Sequence, residues 1–273
     1  MIVREPILPR GWYPRSKGEI QDFLVSSQNT APKTACAAIA PHAGWYYSGK
    51  IAARSVSSLK NAATVVVIGG HLPSGAPVLF AEEEGVRTPL GVMAIDCELR
   101  DLLKAKLDNS PDKYQDNTVE VLLPMVHYFF PDSKLLWLRF PGELSSFDAG
   151  VVIAETAKTL GRSIAVLGST DLTHYGSNYG FSPKGSGAAA LAWVKNTNDA
   201  AFISAVLEGA SDEVLLRADK DRSSCSVGAV LGALGFAQHS GGKSKLLEYG
   251  TSADITGEEE PDSFVGYASV VWE

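Results

Sequence analysis

Short apolar runs alternate along the chain with longer segments in which apolar residues recur at helical spacing. The short runs predict buried strands, because a strand covered on both faces is apolar throughout, whereas a half-covered helix has a period near 3.6 residues. We predict strands at residues 34–40, 64–68, 134–140, 163–168, 246–253 and 263–272. We predict helices at residues 17–27, 47–59, 98–107, 147–160, 186–207 and 224–237, and a hairpin at residues 76–96 whose arms are 78–81 and 92–95.

This order of elements predicts an α/β protein. Strands that alternate with helices form a parallel or mixed sheet with helices on both faces. We therefore predict a single three-layer domain over residues 1–273, with a central sheet that is mixed and mostly parallel. Residues 1–33 are polar and contain four prolines, so we expect an irregular lead-in around the first helix.

Three of the five histidines stand directly after predicted strands. His42 and His71 follow the first two apolar runs, and His174 follows the run at residues 163–168. Open α/β sheets place ligands beyond the carboxyl ends of their strands, so parallel strands would bring the three imidazoles to one edge. One such histidine is usually an ordinary loop residue. Three in the same position, each flanked by glycine, predict a shared site.

The segment around Cys225 predicts a reactive thiol. Ser224 is the predicted N-cap of the helix at 224–237, which puts Cys225 in the first turn, where the pKa of a thiol is lowered. That position suits a nucleophile, a redox thiol or a soft metal ligand, and the alternative is a small buried residue. Cys36 and Cys97 lack such surroundings, and we interpret both as structural.

Glu120 allows two interpretations. In the first it forms a capping box with Asn117 as the N-cap of a helix. In the second its carboxylate reaches the site as a proton carrier. The sequence alone favours the cap.

Composition and charge limit the classes of function. A net charge of −7 with scattered Lys and Arg excludes a large nucleic-acid footprint and argues against binding to an anionic membrane. The chain has three cysteines, which do not indicate a secreted disulfide framework, and it shows no signal peptide and no apolar run near 20 residues. We therefore expect a cytoplasmic protein. No nucleophile elbow, P-loop or dinucleotide fingerprint occurs.

Several motifs together resemble the Memo family, which includes the B component of the AmmeMemoRadiSam system. Residues 41–49 (Pro-His-Ala-Gly-Trp-Tyr-Tyr-Ser-Gly) and 169–176 (Ser-Thr-Asp-Leu-Thr-His-Tyr-Gly) are similar to two of its elements. Residues 11–14, 85–91 and 266–269 are similar to three more, so the likeness spans nearly the whole chain.

The resemblance implies a fold similar to that of class III extradiol ring-cleaving dioxygenases, which are non-haem iron enzymes. It also implies roles for seven residues. His42, His71 and Cys225 would face the metal, Asp171 and His174 would line the same pocket, and Trp12 and Tyr47 would lie at its mouth. Two features depart from the family pattern. Asn117 stands where a histidine is usual, and the residues around His71 are less polar than is common in the family.

Two histidines and a thiolate can hold iron, copper or zinc, and we expect iron(II). The ring-cleaving enzymes use a carboxylate in place of the thiolate, so their activity does not transfer automatically. We expect Asp171 to orient His174, which would act as a general acid or base.

Three functions follow from these expectations. The first is a metal-dependent redox or dioxygenase-like activity on a small aromatic ligand. The second is a non-catalytic metal- or peptide-binding protein of interaction or redox signalling, to which the resemblance also points. The third is a zinc-assisted hydrolase. We expect a small molecule or a peptide as the partner, and neither nucleic acid nor a membrane.

Overall fold

The computed structural model describes residues 1–28 and 30–273. Its strands are β1 (Val3–Arg4), β2 (Ala37–Ala40), β3 (Thr64–Leu72), β4 (Val78–Phe80), β5 (Gly85–Thr88), β6 (Gly91–Ala94), β7 (Asn109–Pro111), β8 (Lys134–Pro141), β9 (Ile164–Ser169), β10 (His174–Gly176), β11 (Ser244–Thr251) and β12 (Ser263–Trp272). Its α-helices are α1 (Lys17–Ser27), α2 (Trp45–Ser58), α3 (Cys97–Lys104), α4 (Asn117–Glu120), α5 (Leu123–Phe129), α6 (Ser145–Thr159), α7 (Ala188–Trp193), α8 (Asp199–Glu208), α9 (Ser211–Asp221), α10 (Val227–His239) and α11 (Ser252–Thr256).

One large mixed sheet organises the molecule. Across the described residues it has nine strands, in the order β10-β12-β2-β9-β3-β8-β4-β7, with β11 also paired to β12. Strands β2, β9, β3 and β8 run parallel at its centre, while β12 and β4 pair antiparallel with the outer members of that group. This confirms the predicted α/β fold with a mixed sheet. Strands β1, β5 and β6 form a separate small sheet.

Neighbouring residues of each central strand contribute to two different cores. In β3, Val66 and Ile68 belong to one core and Val65 and Val67 to the other, because successive side chains of a strand point to opposite faces. Helices α6 and α10 supply the first core, and α1, α2 and α5 supply the second. The sheet is therefore the middle of three layers, and both of its faces are buried.

Helix α10 lies very close to the sheet. A Cβ added to Gly168 of β9 would lie 2.5 Å from the carbonyl oxygen of Ala229, and one added to Gly232 would lie 2.7 Å from the ring of Phe140. No side chain fits at either position, so the glycines permit the contact. This packing brings the start of α10 to the ends of the parallel strands.

The predicted hairpin was wrong in one arm. Residues 78–80 form β4, which is buried and pairs with β8 and β7 in the main sheet. The hairpin partner of β6 is β5. An apolar run of three residues suited the interior of the main sheet better than a half-exposed hairpin.

The predicted helix at residues 186–207 is interrupted. A π-helical segment, Val194–Asn198, separates α7 from α8. The side-chain amide of Asn198 in this segment donates to Thr173 Oγ1 and to the carbonyl of Asp221.

Helix α9 was not predicted. Within the described ranges, no helix is long and apolar enough to cross a membrane.

Candidate metal centre

The parallel strands bring His42 and His71 to one edge of the sheet, as predicted. His42 follows β2 by two residues, and His71 lies near the end of β3. Their rings are 5.0 Å apart and nearly perpendicular, at 89°. His174 begins β10 and lines a cavity that also reaches both rings.

Cys225 completes a compact cluster with these two histidines. Its Sγ lies 3.2 Å from Nε2 of His42. One ligand atom from each of His42, His71 and Cys225 lies within 4.8 Å of the other two. We call these three residues the His-His-Cys cluster.

A chain of hydrogen bonds fixes the ring of His42. Its Nδ1 lies 2.9 Å from the hydroxyl oxygen of Ser169, and that hydroxyl donates to the carbonyl of Thr118. Since the hydroxyl proton is used on Thr118, the Ser169 oxygen accepts from Nδ1–H of His42. The lone pair of His42 is therefore on Nε2, which faces Cys225.

His71 is held in an unusual backbone conformation. Its φ is +57°, in the left-handed region, which costs a residue with a side chain about 1 kcal/mol. The pairing of β3 with β8 is irregular between Gly69 and Leu72, and such a bulge re-aims the side chain within it. Nδ1 of His71 lies 3.0 Å from Oδ2 of Asp116, so its other nitrogen is available to the cluster.

The two glycines before His71 let three segments meet. A Cβ on Gly69 would lie 2.2 Å from Oγ1 of Thr118, and a Cβ on Gly70 would lie 2.4 Å from the Cβ of Ser226. The end of β3 is thus in direct contact with α4 on one side and with the segment of Cys225 on the other. A larger residue at either position would separate them.

The predicted helical position of Cys225 was wrong. Helix α10 begins at Val227 with Ser226 as its N-cap, so Cys225 precedes the helix. Ser224 makes a hydrogen bond with Thr170 Oγ1 and does not cap the helix. The amide of Cys225 donates to the carbonyl of Asp171, which ties the segment to the end of β9.

The electrostatics of the His-His-Cys cluster favour a thiolate. Burial raises the pKa of Cys225, but the charges and hydrogen bonds of His42 and His71 outweigh it and bring that pKa well below its usual value. Burial lowers the pKa of His71, yet Asp116 and Cys225 raise it to about 10. The pKa of His42 is raised in the same way by Asp171 and Cys225, against burial. In the metal-free cluster these shifts favour a thiolate at Cys225 beside a protonated His71.

Aromatic and polar side chains line a cavity of about 510 Å³ in front of the His-His-Cys cluster. Trp12 and Tyr47 are both in its wall, as the resemblance to the Memo family implied for the mouth of a pocket. His174 is there too, with its ring 5.0 Å from that of Tyr179. Two further cavities, of about 310 and 200 Å³, reach Cys225.

Asp171 holds His42 and not His174. Its Oδ1 accepts from the amides of His42 at 2.7 Å and Ala43 at 3.3 Å, and its Oδ2 lies 3.9 Å from Nε2 of His42. The expectation that Asp171 orients His174 was therefore wrong, since the turn after β2 takes up the carboxylate. Burial raises the pKa of Asp171, although His42 opposes this.

Both interpretations of Glu120 were also wrong. The N-cap of α4 is Asp116, not Asn117, and Glu120 accepts from the amides of Ile7 and Leu8 and from the hydroxyl of Tyr13. Both oxygens of its carboxylate thus accept hydrogen bonds from the N-terminal segment and hold that segment in place. The same N-terminal segment carries Trp12, which lines the cavity.

Asp116, Ser169 and Thr118 were missed by sequence reasoning. Each supports a histidine of the cluster through a hydrogen bond, either directly or through another residue. The one available signal was at Asp116, since an Asp before a short helix is a common N-cap. Asn117, where the family usually has histidine, donates to the carbonyl of His42.

The donor set fits a transition metal. Two imidazole nitrogens with fixed tautomers and a thiolate are ligands that iron, copper and zinc accept. The hydrogen bonds to Ser169 and Asp116 are the kind of outer partners that orient metal-binding histidines.

Comparison with known proteins agrees with the motifs. The model of the family described as Memo, Memo-like protein, matches residues 4–271. The chain is 29% identical to a MEMO1 family protein of Methanococcoides burtonii over 98% of this chain and 99% of that protein. It is 30% identical to one of Pyrococcus furiosus over 86% of this chain and 85% of that protein.

Among solved structures, an uncharacterized protein from Escherichia coli K12 is similar at 12% identity with a TM-score of 0.49, covering 87% of this chain and all of that chain. That likeness is too low to carry a conclusion. The family match extends over almost the full length, and the Methanococcoides burtonii relative aligns nearly end to end. The chain therefore belongs to the Memo family.

Proposed function

We propose that this chain binds a transition metal through His42, His71 and Cys225 and uses it for a redox or dioxygenase-like reaction on a small aromatic ligand. One observation carries the proposal. Three soft or borderline donors converge within 4.8 Å, while the remote nitrogen of each imidazole is held by its own hydrogen bond. We propose iron(II) as the metal, and copper or zinc are the alternatives that these donors accept.

The cavity supports the choice of ligand. Trp12, Tyr47 and Tyr179 offer flat apolar surfaces in its wall, and a volume of about 510 Å³ is in the range of small-molecule sites. When bound, iron would supply redox chemistry and Lewis acidity next to this space.

The chain's own residues would bind the ligand and move its protons. We propose that His174, in the cavity wall, acts as a general acid or base toward a ligand hydroxyl. Asp171 would hold the turn of His42, with its Oδ2 3.9 Å from Nε2 of that ring. Trp12 and Tyr47 would stack on the ring of the ligand.

Metal content tests the first half of this proposal. The protein is purified without an affinity metal and analysed by mass spectrometry for iron, copper and zinc. We expect stoichiometric metal in the wild type and little in His42→Ala and Cys225→Ser. The matched controls are His239→Ala, at the exposed end of α10, and Cys97→Ser, at the start of α3, which should keep their metal. Equal metal in all five proteins would refute the site.

Oxygen uptake tests the second half. Iron-loaded protein is supplied with a panel of catechols, and consumption is compared between the wild type and His174→Asn. We expect uptake in the wild type and at least a hundredfold loss in the variant, as for removal of a general acid or base. A metal-loaded wild type that is inert to the whole panel would exclude ring cleavage and leave the non-catalytic metal- or peptide-binding role.

The proposal includes a cytoplasmic location. Cys36, Cys97 and Cys225 are all free, and the cluster needs Cys225 as a thiolate. A reducing compartment preserves such a thiol. Fractionation of cells that express the untagged chain tests this location.

A further inference from the structure

Arg139 is a buried cation beside the metal centre. It lies in β8, where it pairs in register with Gly69 of β3, and its side chain is 4% exposed. A guanidinium without water needs acceptors for its N–H groups, because leaving them unpaired is costly. The hydrogen-bond acceptors of the Arg139 guanidinium therefore show which segments Arg139 holds in place.

Two of these acceptors belong to the surroundings of His71. Nε of Arg139 donates to the carbonyl of Gly70 at 3.0 Å, and that carbonyl is in the peptide bond that joins Gly70 to His71. Nη2 of Arg139 lies 3.3 Å from Oδ2 of Asp116, the same oxygen that lies 3.0 Å from Nδ1 of His71. One planar group thus contacts the backbone before His71 and the partner of its ring.

The third acceptor anchors the guanidinium itself. Nη1 of Arg139 donates to Oδ1 of Asp112 at 3.3 Å, and Oδ2 of Asp112 accepts from Nε1 of Trp137. Asp112 and Arg139 are both buried, so their pairing is not weakened by solvent. Arg139 therefore has a fixed position from which to act on the bulge of β3.

The position of His71 needs such support. Its left-handed φ of +57° and the bulge around it are not conformations that a strand adopts by itself. Without a bond to the Gly70 carbonyl and a bridge to Asp116, the ring would be free to turn away from Cys225. An ammonium group on a flexible stem cannot replace a rigid fork at both contacts.

We propose that Arg139 is a positioning residue that sets the metal affinity of the cluster by fixing both the backbone and the ring of His71. The inference deepens the proposed function and rests on metal binding at the cluster. Arg139 has no contact with the metal ligands' donor atoms in this arrangement and acts through Gly70 and Asp116.

Zinc and cobalt(II) titrations test the proposal. The dissociation constant for zinc is measured by competition with a chromophoric chelator, and cobalt is followed by its thiolate charge-transfer absorption. We expect Arg139→Lys to raise the zinc constant about 10- to 100-fold, the usual effect of losing an outer partner, and to change the cobalt spectrum. Asp116→Asn should do the same while it keeps the N-cap of α4, since Asn caps as well as Asp. The double variant should lose little more than either single one, because both act on one ring.

Arg4→Met is the matched control. Arg4 also contacts Asp112, through its carbonyl at 2.8 Å, and stacks on Trp137, but it has no bond to Gly70 or Asp116. We expect it to lower the melting temperature and leave both metal readouts unchanged. If Arg139→Lys lowers the melting temperature but binds zinc with wild-type affinity, the positioning role of Arg139 is overturned. The proposed metal site is not affected by that result. If Arg139→Lys does not fold, wild-type affinity in Asp116→Asn overturns it, and a wild type that binds neither ion overturns the proposed function as well.

Discussion

Nε2 of His42 lies 3.2 Å from Sγ of Cys225, although 183 residues separate them in the chain. The contact exists because β2 ends at the same sheet edge to which the close packing of α10 brings Cys225. Each residue is also tied to the end of β9, His42 through the Asp171 carboxylate and Cys225 through the Asp171 carbonyl. A single residue, Asp171, thus accepts hydrogen bonds from the backbone amides of both.

The pair predicts an unusual pH profile for thiol modification. Because the charges and hydrogen bonds of His42 and His71 bring the pKa of Cys225 well below its usual value, the thiolate is favoured in metal-free protein. We expect its alkylation rate by iodoacetamide to rise less steeply between pH 6 and 8 than that of an ordinary thiol, which gains about tenfold per unit below its pKa. The rate at Cys225 is read by peptide mass spectrometry after treatment with a chelator.

Two comparisons make this test specific. His42→Ala should raise the pKa of Cys225, because burial raises that pKa and His42 no longer lowers it. The alkylation rate at Cys225 should then rise steeply with pH. Cys97, which lies outside the His-His-Cys cluster, is the internal reference in the same samples. Added zinc should protect Cys225 and not Cys97, and a steep profile at Cys225 in the wild type would contradict the predicted thiolate.

The positions of His42 and His71 could be predicted from the sequence, but the residues that hold His71 in place could not. His42 and His71 follow apolar runs, and that pattern is local. Asp116 and Arg139 meet His71 only through the register of β3 with β8 and the bulge in it, which are not local features. Cys225 was placed inside a helix because Ser224 and Ser226 are equally good caps by residue type. The bond of Ser224 with Thr170 decides between them, and it joins distant segments.

The contact at Gly70 predicts the effect of one added methyl group. In Gly70→Ala the new Cβ would lie 2.4 Å from the Cβ of Ser226, so β3 and the Cys225 segment must move apart. We expect a loss of about 1–3 kcal/mol in the free energy of unfolding, as for overpacking, and weaker zinc binding. Ser226→Gly in the same chain should restore part of both. Gly18→Ala, in α1 with no atom within 4 Å, should be neutral or stabilising, and an equal loss there would refute the steric explanation.

The hydrogen bonds of Glu120 should hold the N-terminal segment before α1 in place. Glu120→Gln puts an amide N–H₂ against the donors of Ile7, Leu8 and Tyr13, so at least one of these bonds is lost. We expect faster hydrogen exchange at the amides of residues 7 and 8 and a shift in the fluorescence of Trp12. Glu19→Gln, which alters only the exposed capping box of α1, is the control and should change neither. Unchanged exchange in Glu120→Gln would mean that other contacts hold the lead-in.

Asp199 predicts a pH dependence of stability that does not involve the metal. Burial raises its pKa to about 6, although hydrogen bonds from Thr173 and Tyr249 oppose this. Since the folded pKa is above the unfolded value of 3.8, the native state holds its proton more tightly, and stability falls as pH rises from about 4 to about 6. The difference of roughly two pKa units corresponds to about 3 kcal/mol at neutral pH. Asp199→Asn cannot ionise, so its free energy of unfolding in urea should gain on the wild type by about that amount between pH 4 and pH 7. Parallel profiles for the two proteins would show that folding does not raise the pKa of Asp199.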